Sequence, residues 1–494
     1  MYKVSGTVKD KDGTAIQRKV HLLSREPVRV IDVTTSAPDG SFELLSTNND
    51  PSIVLAVPLA GDNSNARVYD WVIPEEHVTP VVGVNDIGIP GTMGFGVGIC
   101  PNPPAGFVGL PGFTDPLNDN YGNYQYEDGS IMCWIPAFWY KWGTGANGLA
   151  LNEVSIKRFS EYEDEATANL DGHAIHRAFY DGGVIKPGFF IDKYHCSLHP
   201  DGDKPSSIKY ANPLNTSATA PSINTLPGIT AQYWGCVDAA KLRGSEFFCT
   251  FAYHFMALAM LSWAHGNAVT DTENCAWWGE FNNWPKGNNQ TSRVDISDNS
   301  VIFYPGQYAN QTKCGSGLTM DKTTHNGQQC GVADVNGNLW CVAPGVSSNG
   351  SVYFVLDKSA VAKDMTSGTA SVTDLWYYGA GTKYINVGGT IGDLAAGYRW
   401  TYRRHDVQTY SEEVDSDSNQ WYFTGSGLPS ASGTLATVNP MVYGGGLYER
   451  RINLCCPLAG GAWNNGLDAG AWALYLNDAR GTSNSRVGFR LSCF

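Results

Sequence analysis

The sequence predicts a large α+β body, residues 128–494, preceded by a small all-β sandwich, residues 1–78. Three observations carry that expectation. The first 78 residues alternate polar and apolar in short runs, broken by turn signals about every ten residues. The body holds two stretches of helical periodicity among strand-like runs rich in Trp and Tyr. Its last stretch, 460–494, interleaves Gly, Trp and Leu with small polar residues more densely than an ordinary core strand does.

In chain order, Tyr2–Val8 alternates and Asp10–Gly13 is a turn. Val20–Leu23, Arg29–Thr35, Ser41–Leu44, Ile53–Val57 and Val68–Pro74 read as further strands, with Pro38-Asp39-Gly40 turning between the second and third of them. Short strands at this spacing predict an immunoglobulin-like sandwich. The run SGTVKDKDGTAI followed by TTSAPDGSFEL resembles the carboxypeptidase-regulatory-like family over about 75 residues. No catalytic cluster sits there, so the expected role is docking or spacing.

Residues 79–127 change character: Pro90-Gly91, Gly94-Phe95-Gly96-Val97-Gly98, Pro101-Asn102-Pro103-Pro104 and Pro111-Gly112 predict an irregular connector. Phe95, Phe107 and Phe113 within it predict packing onto the body. From 128 onward, Ile131–Tyr140 reads as one buried strand and Pro187–Tyr194 as another. Tyr233–Leu242 reads as a helix ended by Arg243-Gly244, and Phe251–His265 as a second, with Gly266-Asn267 suited to its C-cap. The segment Asn326–Trp340 follows, then the Gly460–Arg490 stretch.

This ordered set (IPAFWYKW, GFFIDKYH, a helix pair, GVADVNGNLW, and a terminal GGAW…GFR) resembles the formylglycine-generating-enzyme branch of the C-type lectin fold. The ending resembles most the retroelement-diversified variable proteins, the group that includes phage tropism determinants. In them a fixed Gly/Trp/Leu frame carries ligand-facing variable positions. Here the frame would be Gly460, Gly461, Trp463, Gly466, Ala469, Gly470, Trp472, Leu474, Leu476, Ala479, Arg480 and Val487–Arg490. The variable region would be about 460–490.

The 33 Lys and Arg against 47 Asp and Glu give a formal charge of −14, which argues against a nucleic-acid backbone binder. No run approaches the roughly 18 apolar residues that a membrane span needs, and no signal peptide is visible, so no membrane insertion is expected. The 12 cysteines are scattered without any CxxC pair, which predicts reduced, buried thiols and no zinc site. The oxidase of the resembled fold holds copper with a cysteine pair. Cys455 and Cys456 are adjacent, and neighbours on an extended strand point to opposite faces, so that activity is not expected. Where family members carry a Glu after Trp340 this chain has Cys341, which removes a hard ligand from any calcium site. Asn336–Asn338 is instead expected to form a tight loop with positive φ. His173 and His176 lack further ligands nearby, and the acidic runs Glu161–Glu165 and Glu412–Asp417 read as solvated loops. No GxSxG, P-loop or dinucleotide fingerprint is present. The expectation is therefore no catalytic residue, no metal, no cofactor and no enzyme.

What remains is recognition. The expected ligand-binding residues are Ala462, Asn464, Asn465, Leu467, Asp468, Ala471, Tyr475, Asn477, Asp478, Thr482, Ser483, Ser485 and Arg486. Asn, Asp, Ser and Thr offer donors and acceptors, Tyr475 a large rigid contact, and Arg486 a charged fork. The resemblance implies a virion fibre or tail-tip adhesin, assembled in the host cytoplasm, that binds a host-cell surface protein or glycan. It also implies a homotrimer whose N-terminal domain contacts other virion proteins. A head-decoration or structural fibre of the same fold is the competing expectation.

Overall fold

In a computed structural model the chain divides into two compact units, Met1–Val81 and Val82–Phe494. The structure describes residues 2–7, 19–24, 29–38, 41–46, 52–57, 67–72, 84–143, 147–150, 153–279, 285–368, 383–388, 399–402, 446–449 and 452–494.

In the first unit Tyr2–Thr7 pairs antiparallel with Ser41–Ser46. A second, four-stranded sheet runs Arg29–Thr35, Lys19–Ser24, Ser52–Val57, Arg67–Val72, all antiparallel. β-Branched and aliphatic residues at alternate positions suit such pleated strands. Val20 is fully buried. The expected Asp10–Gly13 turn lies outside the described residues.

The second unit is mainly β with little helix. Its core sheet has the order Phe248–Cys249, Leu491–Cys493, Gly188–Asp192, Ile131–Pro136, Asn123–Tyr126, Phe107–Gly109. The last two strands come from the stretch expected to be an irregular connector. That stretch is part of the body, because Phe107 stacks on Phe190 at 4.3 Å and the Tyr124 ring meets Phe190 edge-on at 5.1 Å. The single strand expected over Ile131–Tyr140 is two. Pro136 has no N–H to continue the ladder, and after Ala137 the chain enters a separate three-stranded sheet as Phe138–Trp142, between Val154–Arg158 and Ala174–Ile175.

Three α-helices matter here. α1, Glu165–Leu170, starts inside the acidic run expected to be a loop, because the Asp164 carboxylate accepts the Thr167 N–H at 2.8 Å and caps it. α2 spans Gly235–Arg243 and α3 spans Ala252–Ala268. Gly266-Asn267 does not stop α3. Every residue from Ala252 to His265 is buried, so packing on all sides rather than a cap sets its length. Trp142 ties three elements together: its ring lies 6.4 Å from Trp263 of α3 and 6.1 Å, perpendicular, from Trp472. The second acidic run, Glu412–Asp417, lies outside the described residues.

A second six-stranded sheet carries the C-terminal stretch, in the order Arg399–Tyr402, Gly446–Glu449, Leu474–Leu476, Leu458–Ala459, Trp340–Val342, Val487–Gly488. The chain then crosses into the core sheet, where Cys493 pairs with Phe190 and Ser492 with both Ile191 and Phe248. Both flanks of the 460–490 stretch are therefore fixed by sheet pairing.

Candidate recognition surface

Two glycines open the stretch in the left-handed region, Gly460 at φ +92° and Gly461 at φ +93°. At Gly461 the conformation is obligatory in a second sense: a Cβ would come within 2.4 Å of the Ala469 Cβ. The chain folds back here, with Gly470 N–H donating to the Gly460 carbonyl at 3.0 Å. Trp463, Trp472, Leu474, Leu476, Val487 and Phe489 all point inward and are buried.

Of the thirteen residues expected to face a ligand, two are enclosed. Ala462 is 0% exposed and Ala471 is 6% exposed. Ala462 sits beside the Gly461 fold-back and Ala471 precedes Trp472, so both are packing positions. Asn464, Ser483 and Arg486 are exposed, and Asn465, Leu467, Asp468, Tyr475, Asn477, Asp478, Thr482 and Ser485 are half-buried.

The half-buried group does structural work as well. The Asn465 side chain accepts the Ala462 N–H at 3.0 Å. Leu467 and Asp468 lie in a one-turn 3-10 helix, Gly466–Asp468. Tyr475 sits between buried Leu474 and Leu476, turned to the other face of its strand as period-two alternation requires. Its ring meets Trp340 at 5.7 Å, and its hydroxyl accepts from Asn477 Nδ2 at 2.9 Å. Asp478 accepts the Tyr233 hydroxyl at 2.8 Å. Burial pushes the Asp478 carboxyl up, while the Tyr233 bond and the Arg486 charge pull it down.

Between Arg480 and Val487 the main chain is anchored mainly through its own carbonyls and amides. Trp234 N–H donates to the Arg480 carbonyl at 3.0 Å, Tyr233 N–H to the Thr482 carbonyl at 2.8 Å, and Trp340 N–H to the Arg486 carbonyl at 2.9 Å. Thr216 clamps Asn484 from both sides: its Oγ1 accepts the Asn484 N–H at 3.2 Å and donates to the Asn484 carbonyl at 3.0 Å. The Arg480 guanidinium lies 4.2 Å over the Trp234 ring. Ser483 and Arg486 project from this anchored backbone.

The 285–313 segment braces the same surface, which no motif announced. Gly466 N–H donates to the Asn289 carbonyl at 2.9 Å, Tyr308 meets Trp463 at 6.4 Å, and Gln311 Nε2 donates to the Ser485 carbonyl at 3.3 Å. Asn338 joins the two ends: its carbonyl accepts the Trp463 N–H, and its side chain exchanges bonds with Thr312 at 2.9 and 3.2 Å. Asn338 and Gly337 adopt φ of +61° and +76°, the tight loop that their residue types favour. Asn484 was also not singled out from the sequence; an Asn two residues before Arg486, whose side chain accepts the Arg486 N–H at 2.9 Å, is the local signal for such a turn.

All twelve cysteines are buried free thiols. Burial pushes Cys456 up to about 12 and Cys341 to about 11, so both stay protonated near neutrality. Cys341 lies 3.5 Å from His195 Nδ1. His176 is fully buried and His173 nearly so. Among the described residues one group has metal-like proximity, His199 with Asp201 and Asp203, on an exposed turn where His199 Nδ1 already takes the Asp201 N–H.

No protein-family model and no curated protein matches the chain. Solved structures similar to it include two variants of a Major Tropism Determinant. The M1 variant is 11% identical with a TM-score of 0.27, over 91% of this chain and 82% of that one. The U1 variant is 11% identical with a TM-score of 0.26, over 74% of this chain; the alignment spans 63% of the U1 variant's length.

Proposed function

We propose that the protein is a phage virion adhesin that binds a host-cell surface protein or glycan through the residues displayed between Asn464 and Arg486. The observation that supports this reading most is the anchoring of the 480–487 backbone. Carbonyls and amides hold the loop, so Ser483 and Arg486 are left to meet a ligand. A frame that folds through its main chain tolerates side-chain change, which is what a diversified recognition surface requires. The N-terminal unit, an immunoglobulin-like sandwich in this reading, attaches to other virion proteins. A trimer would add weak single contacts through multivalency.

The test is adsorption of fluorescently labelled full-length protein to host cells, comparing wild type with an Asn464→Ala, Ser483→Ala, Arg486→Ala triple variant. The expected result is at least a tenfold loss of cell binding with an unchanged melting temperature. Equal adsorption of both proteins removes this surface as the receptor site. Diversification makes a separate demand, a near-copy of the coding segment beside a reverse-transcriptase gene. Without that copy the surface is a fixed one.

A further inference from the structure

A second constellation lies far along the chain from the recognition surface, on the three-stranded sheet. Ser155 Oγ is 3.0 Å from His173 Nε2, and His173 Nδ1 is 3.3 Å from Asp171 Oδ2. The Tyr162 hydroxyl sits 3.1 Å from the same Nδ1 and donates to Asp171 Oδ2. His173 is buried, Ser155 is half-buried, and the Asp171 side chain is half-exposed.

The elements explain the convergence. Ser155 lies on the strand Val154–Arg158, directly across from Lys141, and Lys157 follows two residues later on the same face. α1 ends at Leu170, and the turn Asp171–Gly172 brings His173 back over that strand. Lys157 Nζ donates to Asp171 Oδ2 at 2.9 Å and to the Tyr162 hydroxyl at 2.7 Å, while Lys141 Nζ donates to the Asp171 carbonyl at 3.2 Å. Burial, with the Lys157 charge next, holds the His173 imidazole down to about 4, so it is a neutral proton acceptor near neutral pH. With Nδ1 protonated toward Asp171 and Tyr162, Nε2 is left to accept from Ser155. Nucleophile, base and orienting carboxylate thus stand in the order that acyl transfer needs.

We propose that Ser155, His173 and Asp171 form a hydrolytic site for small carboxylic esters, with Lys157 and Lys141 holding Asp171 in place behind the imidazole. Ser155 Oγ bonds to the ester carbonyl carbon as its proton passes to His173 Nε2. The carbon–oxygen bond to the leaving alkoxide breaks, and Nε2 returns the proton to that alkoxide as the alcohol departs. Water, deprotonated by the same Nε2, then attacks the acyl-Ser155 carbonyl. Collapse releases the carboxylic acid and restores the serine. Ser155 and His173 are the catalytic residues; Asp171 is a positioning residue.

The experiment uses the full chain with p-nitrophenyl acetate, and separately with a fluorophosphonate probe followed by peptide mass mapping. The expected result is a phosphonyl adduct on Ser155 and p-nitrophenol release above that of free imidazole. Ser155→Ala removes the adduct and lowers release at least tenfold while melting as the wild type does. Ser155→Cys keeps a nucleophile at the site, and its alkylation by iodoacetamide near pH 7 is faster than that of Ser155→Cys combined with His173→Gln. Asp171→Asn lowers kcat more than it raises KM. An unmodified Ser155 in the wild type, or ester cleavage by Ser155→Ala at the wild-type rate, overturns the proposal and leaves the array as a pin between α1 and its sheet.

Discussion

Replacing Arg490 tests how the proposed recognition surface is held in place. The side chain is 1% exposed, and its guanidinium spans two separate stretches of main chain. On one side it donates to the Asp192 and Lys193 carbonyls at 3.1 and 2.9 Å, on the other to the Ala333 and Asp334 carbonyls at 2.5 and 3.1 Å. Only a planar fork reaches both sides at once; an ammonium on a flexible stem is a point donor. Arg490→Lys therefore keeps the charge and gives up about half of the four bonds. Hydrogen bonds to a charged group contribute about 1.5–3 kcal/mol each and are not additive when they share one cation, so the expected loss is about 3 kcal/mol. Arg490→Met removes the guanidinium from all four carbonyls, of which Lys193 O keeps the Ala333 N–H, and should lose about 3–5 kcal/mol. For a unit of this size 3 kcal/mol lowers the melting midpoint by about 3–4 °C. The assay is differential scanning calorimetry on the full chain, following the transition of the larger unit, beside the cell-adsorption assay. Because Arg490 lies two residues after the Val487–Gly488 strand, adsorption should fall with stability. An Arg490→Lys protein that melts within about 1 °C of wild type would refute the reasoning, since the fork would then be dispensable.

Gly461→Ala should destabilise the larger unit by more than about 2 kcal/mol, because it adds left-handed strain to a 2.4 Å contact with Ala469, whereas Ser483→Ala should stay within about 0.5 kcal/mol; thermal melts separate the two. Acid should destabilise the protein in a definite window. Burial holds His173 and His265 down to about 4 and His176 and His325 to about 3, with His195 and His254 well below the ordinary value. The folded state thus binds fewer protons than the unfolded one, so the stabilisation is complete above the unfolded value of about 6.5 and is lost as pH falls toward 4 and then 3. Melting midpoints measured from pH 7.5 to 4.5 should fall steadily below about pH 6. His254→Phe, placed among Phe189, Phe248 and Phe251, should make that fall shallower, and an unchanged slope would count against the account.

Strands with a one-sided pattern were legible in the sequence, and so was the existence of both longer helices. The Arg29–Thr35 strand starts and stops where alternation says it does. Helix ends were less so: α3 runs past Gly266-Asn267 because full burial outweighs a glycine's preference for the cap. The stretch around Phe107 and Tyr124 was misjudged because Gly and Pro density hides two short strands at one end of the core sheet that pack on Phe190, over sixty residues away. The same limit applies to sites. The frame residues Trp463, Trp472 and Phe489 carry their burial in their chemistry. Asn289 acts through its main-chain carbonyl, and Gln311 and Thr216 through side-chain bonds to distant main-chain groups that no local motif announces, so nothing in the sequence marks them. His173 stood out beside His176, yet its partners are Asp171 and the cross-strand Ser155, and His176 is committed to the core.

The expected binding set divides by what each side chain already does. Ala462 and Ala471 are enclosed, and any larger residue there would overpack the fold-back at Gly461. Tyr475, Asn477 and Asp478 are half-exposed but bonded inward, to one another or to Tyr233, so replacing them changes stability and recognition together. Asn464, Ser483 and Arg486 expose their side chains, and these can vary at little cost to folding. A surface able to diversify widely would need many positions of the last kind. The structure supplies a few of them, together with a half-buried Tyr475 whose ring rests on the buried Trp340. In the proposed reading, Tyr475 would give a ligand a constant rigid contact at low entropic cost, and the exposed polar groups would decide which ligand fits.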